Sequence, residues 1–187
     1  MPDGESALLL LDLQQGVVER YSTDPGLVER VALALDTARR RSMLVVHVSV
    51  RFRSGHPEVD PANRQFSALK AEGLLLEEDP AVQIHPALTP RDDEPLVVKH
   101  RVGAFHGTDL EVILRANRID HLVLAGIATS GAVLSTVRAA SDMDLRLTIL
   151  RDGCTDPDPL VHDVLVERVF PKQADVVDVA EWVDGRG

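Results

Sequence analysis

The chain has 187 residues, 44% hydrophobic and 27% charged, the balance of a soluble globular protein long enough to bury one core. Its formal charge of −10 excludes the broad basic face that nucleic acid demands. Only 3% of residues are aromatic, so the core must be aliphatic.

Cys154 is the single cysteine, which rules out an intrachain disulfide and points to a reducing, cytoplasmic setting. MPDGES has no basic stretch leading into a signal-type apolar run, and no apolar run reaches the ~18 residues of a membrane span. The one basic run, Arg39-Arg40-Arg41, falls at a helix end and reads as solvated there, favoured by the negative pole of the dipole.

Ala7 to Leu13 is a continuous apolar run, the pattern of a strand buried on both faces. Asp24-Pro25 reads as a cap with proline in the first helical turn, and Val28, Val31, Leu35 and Ala38 follow at helical spacing. Met43 to Val50 returns to strand. From Arg51 to Pro95 six prolines interrupt the pattern, leaving one helical piece over Phe66 to Glu72; a long excursion of this kind often closes over a site. Leu96 to Lys99 is a short strand. Thr108 and Glu111 have the spacing of a capping box for a helix to Ala116. His121 to Ala128 is a buried strand, Ser130 to Ser141 a helix and Arg146 to Leu150 a strand. Asp158-Pro159 caps a helix with Val161, Val164, Leu165 and Val169 inward, and Ala174 to Val177 closes the chain as a strand.

Strand and helix alternate throughout, which predicts one α/β domain over residues 1–187 with a parallel sheet covered on both faces. In such folds the site lies beyond the carboxyl ends of the strands. Three places qualify: Asp12 with Gln14, Lys99 with the stretch to Phe105, and the turn Ala128 to Ala132. A carboxylate ending a buried strand needs a partner, and Lys99, ending another, is the complementary charge.

The turn GIATSGAVLST fails as a phosphate loop, because Ala132-Val133 stand where Lys and Ser or Thr are required. It fails as a nucleophile elbow because Ala128 replaces the first glycine. What survives is a strand-to-helix turn whose amides can hold a developing oxyanion. Ser130 is better suited to capping the helix than to acting as nucleophile, having no histidine near it in sequence.

Asp12-x-Gln14 after an apolar strand, Lys99 before Gly103-Ala104-Phe105, and Gly126-Ile127-Ala128-Thr129 before a helix together resemble the isochorismatase-like hydrolases. The resemblance runs from Leu8 to Val177. It implies a three-layer α/β/α, Rossmann-like fold with a mostly parallel six-stranded sheet, a cis peptide near Ile127-Ala128, and assembly into homodimers or homotetramers. Many such hydrolases use an Asp-Lys-Cys triad, whose first two members match Asp12 and Lys99; Ala132 stands where the cysteine belongs. Cys154, placed after the next strand, reads as a packing residue. Isochorismatases proper also lack the thiol, though they carry a different sequence at this turn.

The resemblance thus implies a small-molecule hydrolase with Asp12 as acid/base and Lys99 as its partner and substrate-orienting cation. Gln14, Phe105, Ala128, Thr129, Ser130, Gly131 and Ala132 are the expected substrate contacts, with the Gly131 and Ala132 amides on a substrate oxygen. A non-catalytic member that binds a metabolite or protein partner is the alternative. No cofactor and no metal is expected: the loop after the second strand holds one histidine, His56, beside Arg51 and Arg53, and His47 reads as a core histidine. The two arginines read as solvated or facing an anion, and Phe52 as a pocket wall. Trp182 and Phe170 look structural.

Overall fold

The computed structural model describes residues 5–185. In β1 (Glu5–Leu11) alternate side chains leave opposite faces. Ala7, Leu9 and Leu11 enter one core with Val46, Val48 and Leu124, while Leu8 and Leu10 enter another with Val45, Val123 and Ala125. A strand apolar on both faces must be central and must be covered twice, which is the three-layer arrangement. The first core is closed by α4 (Leu110–Ala116), α5 (Leu134–Ser141) and the segment from α6 (Pro159–Val164) to Phe170. The second is closed by α1 (Gln15–Tyr21), α2 (Leu27–Arg40) and α7 (Val179–Val183), with Trp182 inside it.

The six strands run β3-β2-β1-β4-β5-β6, where β2 is Leu44–Val50, β3 Leu96–Lys99, β4 Ile119–Ile127, β5 Arg146–Thr155 and β6 Asp175–Val177. Every pairing is parallel, so the sheet expected to be mostly parallel is wholly so. The chain winds outward from β1 to β3 and then restarts at β4, beside β1. That reversal opens a crevice at the carboxyl ends of β1 and β4. Between Arg51 and Pro95 the excursion contains α3 (Arg64–Glu72), capped by the Asn63 side chain on the Phe66 amide, and two single helical turns at Pro80–Val82 and Pro86–Leu88. It has its own small core of Val50, Phe52, Val59 and Phe66, seated over the end of β2.

Several local expectations are corrected. The unexpected α1 carries Gly16 where a Cβ would lie 2.8 Å from the Ala81 Cβ, so a poor helix former is dictated by close packing. Asp24 caps the turn before α2, accepting from the Gly26 amide, and the helix starts only at Leu27. The Thr108 hydroxyl bonds Ala104 O and the Leu110 amide, not Glu111, which pairs with Arg115; no capping box forms. Asp158 does cap α6, but a wide π-helical stretch at Leu165–Val169 turns Val164 outward and Val166 inward. β5 runs five residues beyond the expected end: Leu124 pairs with Ile149 but Gly126 with Cys154, so the residues between bulge out. Cys154 is therefore a strand residue, buried in the first core.

The basic run ends α2 with Arg40 and Arg41 exposed, as expected, but Arg39 and Arg41 also make specific contacts. Arg39 holds Glu94 through Nε at 2.7 Å and Nη2 at 2.8 Å, and Glu94 also accepts from the Arg91 amide and contacts the buried His47 at 3.1 Å. Arg41 donates to Trp182 O and Val183 O and stacks 4.8 Å over the Trp182 ring. The run thus ties α2 to the edge of the sheet and to α7.

Burial opposes ionisation of Glu94, but Arg39, the Arg91 amide and His47 prevail and bring its pKa from 4.5 down to about 2. A depressed carboxylate contributes stability that is complete above pH 4.5 and lost as the pH falls towards 2. Glu94→Gln is expected to cost about 3 kcal/mol at neutral pH and to flatten that acid limb, as read by urea denaturation across the range. Gly126, at φ 148°, leaves only 2.2 Å between a built Cβ and Leu11 O. Gly126→Ala should therefore lower stability by about 3 kcal/mol or more, measured as a fall in melting temperature.

Candidate active site

Asp12 follows β1 directly in the left-handed region, φ 53°, with its amide on Val48 O at 2.9 Å. Aspartate tolerates that conformation better than most side chains. Lys99 ends β3 and is in register with Val50 of β2. Two strand spacings, roughly 9–10 Å, separate β3 from β1. Only a long side chain can cross the end of β2, and the Lys99 ammonium does so to reach Asp12 Oδ2 at 2.8 Å. Its other protons go to Arg101 O and Val102 O, each at 3.0 Å. With three acceptors and 2% side-chain exposure, Lys99 has no proton left for a ligand. The expectation that it orients substrate by direct contact is corrected: Lys99 fixes Asp12.

The second carboxylate oxygen, Asp12 Oδ1, is buried and has no hydrogen-bond partner. Burial raises the pKa of Asp12, the charge and hydrogen bond of Lys99 pull it back, and the Val50 amide contributes least. That amide donates instead to Gln14 Oε1 at 2.9 Å. Gln14 Nε2 donates to Val50 O and Val82 O, so this fully buried amide pins the excursion to β2. Gln14 does not reach the cleft, which corrects its assignment as a substrate contact.

At the end of β4 the Ile127–Ala128 peptide is cis, as the resemblance implied. Thr129–Val133 makes one π-helical turn before α5, flanked by Ala128. Ser130 thus lies inside the turn and caps nothing; its amide donates to Asp156 Oδ2 at 2.8 Å. The Gly131 amide is on Ala128 O at 3.0 Å, which removes it from the expected oxyanion pair and leaves the Ala132 amide as the candidate. Thr129 is wholly buried, its hydroxyl 2.8 Å from His162 Nδ1. The fold brings a histidine to this turn after all, but to Thr129, outside the cleft, and not to Ser130.

Asp12 and Lys99 border a cleft of about 360 Å³, with Ala128, Ser130, Gly131 and Ala132 on one wall and Phe66 and Leu69 of α3 on another. That volume suits a small metabolite. Phe105 packs on the first core and Phe52 inside the excursion's cluster, so neither is a wall. Arg51 donates to Ser49 Oγ and Arg53 to Glu58, both away from the lining. Burial pushes the Cys154 thiol up to about 12, which suits a packing residue. Among the lining residues that the sequence reading did not assign to the site are Phe66, hidden in an irregular region, and Asp156. Asp156 had a signal, since it ends a buried strand as Asp12 does. Among the described residues no cluster of three or more His, Cys, Asp or Glu is arranged to hold a metal ion, and no helix is long and apolar enough to cross a membrane. A larger hollow of about 520 Å³ beside Ser6, His121 and Trp182 lies at the amino end of the sheet, where α/β folds do not carry their sites.

A family model described as the isochorismatase domain matches residues 6–181. The isochorismatase family protein YecD of Escherichia coli O157:H7 is 32% identical, covering 94% of this chain and 93% of that protein. Maleamate amidohydrolase of Pseudomonas putida is 29% identical over 91% of this chain and 82% of its own. A crystal structure of a cysteine hydrolase from Pseudomonas syringae pv. phaseolicola superposes with a TM-score of 0.90 at 20% identity, over 96% and 91% of the two chains, and shows the shared fold.

Lys99→Met strands a buried carboxylate and is expected to cost about 3–5 kcal/mol. Adding Asp12→Asn should restore part of that loss. Urea denaturation of the two single variants and the double variant gives the coupling directly; additive losses would mean that the pair does not interact.

Proposed function

The chain belongs to the isochorismatase family of hydrolases, and we propose that it hydrolyses a small molecule in the Asp12 cleft without a covalent thiol intermediate. The observation that carries this reading is the unpartnered Asp12 Oδ1, with Oδ2 held by Lys99, in a cleft that Ala132 also lines. A carboxylate anchored through one oxygen leaves the other free to move a proton. The charge of Lys99 opposes the burial that raises the Asp12 pKa. Asp12 Oδ1 takes a proton from water as the water oxygen attacks the electrophilic carbon, and the same proton then passes to the leaving atom. The Ala132 amide, in the fourth residue of the turn, is the proposed donor to the oxygen on which charge develops. The methyl of Ala132, where cysteine hydrolases carry sulfur, leaves room for the water.

A second reading is favoured by that same methyl: a member that binds a metabolite and does not turn it over. Amides, ureides and vinyl ethers form the panel that separates the two. Reproducible turnover of any one supports the hydrolase, whereas saturable binding with no turnover across the panel supports the binder.

With a substrate in hand, Asp12→Asn is expected to lower kcat/KM by about 10²–10⁴-fold while leaving the fold intact by circular dichroism; undiminished turnover would remove Asp12 from the mechanism. Because burial raises the Asp12 pKa above 3.8, protonation silences the base early on acidification. The kcat/KM profile should therefore fall on an acid limb displaced above the ordinary carboxylate value, and that limb should vanish in Asp12→Asn.

A further inference from the structure

Resting on the reading that the Ala132 amide meets developing charge, we infer that His162 is a positioning residue for that amide. Its neutral imidazole holds the 129–133 turn in shape through the Thr129 hydroxyl, and protonating it releases the turn.

The turn needs support from outside. It is a single π-helical turn, closed by the Val133 amide on Ala128 O at 3.2 Å and the Leu134 amide on Thr129 O and Gly131 O. Such turns are rare and persist where their surroundings impose them. Gly131, the residue with most backbone freedom, directly precedes Ala132. Two side chains from the end of β5 and from α6 supply the support. Asp156 Oδ2 accepts from the Ser130 amide at 2.8 Å, and His162 Nδ1 stands 2.8 Å from the Thr129 hydroxyl.

The second of these contacts depends on the charge state of the ring. Thr129 is wholly buried, and His162 is the partner of its hydroxyl. A neutral imidazole with its proton on Nε2 accepts the Thr129 O–H at Nδ1. Protonation puts hydrogen on both ring nitrogens. Nδ1 then becomes a donor, and the hydroxyl proton is left in a buried place without its acceptor.

His162 is half-buried and borders a hollow of about 310 Å³ that is distinct from the Asp12 cleft. The charged groups facing it are Asp163 of its own helix, Asp156 and Arg151 from β5 and its end, and Asp24 before α2; Asp152 and the Cys154 thiol line the same hollow. Burial lowers the His162 pKa below 6.5, Arg151 adds to it, and the three facing aspartates oppose it without prevailing. The acceptor form therefore stands at pH 7. Because the fold favours the neutral ring, the stability it contributes is complete above pH 6.5 and is lost as the pH falls towards the folded value.

Amide hydrogen exchange, followed by NMR on the intact protein, reads the turn without requiring turnover. The protection of Ser130, Gly131, Val133 and Leu134 is compared with that of Val123 and Leu124 in β4. At neutral pH His162→Ala should lower protection in the turn about ten-fold and leave β4 unchanged. His162→Asn, whose Oδ1 restores an acceptor near the place of Nδ1, should recover most of it. On acidification through the His162 titration, protection of the turn should fall in the wild-type protein and stay level in His162→Asn. Imidazole nitrogen shifts should show Nδ1 bare and Nε2 protonated at neutral pH. If His162→Ala fails to fold, His162→Asn and the nitrogen shifts decide. A protonated Nδ1 at neutral pH, unaltered protection in His162→Ala, no recovery in His162→Asn, or an acid response that survives in His162→Asn each overturns the inference. For any substrate that the panel yields, His162→Ala should lower kcat about ten-fold and move KM by less than about two-fold. The expected exchange pattern with silence across the panel sinks only the hydrolase, and turnover with unaltered protection sinks only the role of His162.

Discussion

The ion pair between Asp12 and Lys99 ties together the three parts of the molecule that make the cleft. Asp12 belongs to the central strand β1, and Lys99 to the edge strand β3, which follows the long excursion in the chain. The ammonium also holds Arg101 O and Val102 O, so the loop leaving β3 takes its course from the same group. Removing either partner would leave a charge in a site where water cannot compensate it, and this makes the local geometry nearly single-valued. Around that pair Gln14 performs a similar task with neutral groups, joining the end of β2 to the Val82 turn.

The proposed chemistry rests on an asymmetry within Asp12. Oδ2 is fixed by Lys99 and Oδ1 has nothing. A carboxylate bonded through both oxygens would be a strut. One bonded through a single oxygen carries an unmet demand, and Asp12 borders the same cleft as Ala132. The saturation of Lys99 has an equally direct consequence, because the strongest cation at the site is unavailable to substrate.

The excursion between Arg51 and Pro95 shows how function can be placed on irregular chain. Its core of Phe52, Phe66 and neighbours is small, with the two rings edge to face at 5.3 Å. It nevertheless brings Phe66 and Leu69 over the carboxyl ends of the strands, where they complete a cavity that the sheet alone would leave open.

Most of the architecture was legible in the sequence, because runs apolar on both faces can only be central parallel strands and the helices between them follow from chain connectivity. Asp12, Lys99 and the Ala128–Ala132 turn were legible too, since charged and small residues at strand ends stand out against an apolar background. Ala132 was legible as a methyl at the position where the resemblance implies a cysteine. Other features belong to tertiary structure alone. That Gln14 and Thr129 face away from the cleft, that Asp156 enters it, that His162 meets Thr129, and that Phe66 replaces Phe52 and Phe105 as the wall are all outcomes of contacts between residues remote in sequence. Periodicity reports which face of an element is buried; it does not report what stands opposite, and hydrogen bonds are decided by what stands opposite. The sequence by itself therefore determined the layers, the strand ends and the identity of the charged pair, while only the folded chain decided which donors and acceptors were left unsatisfied for a ligand.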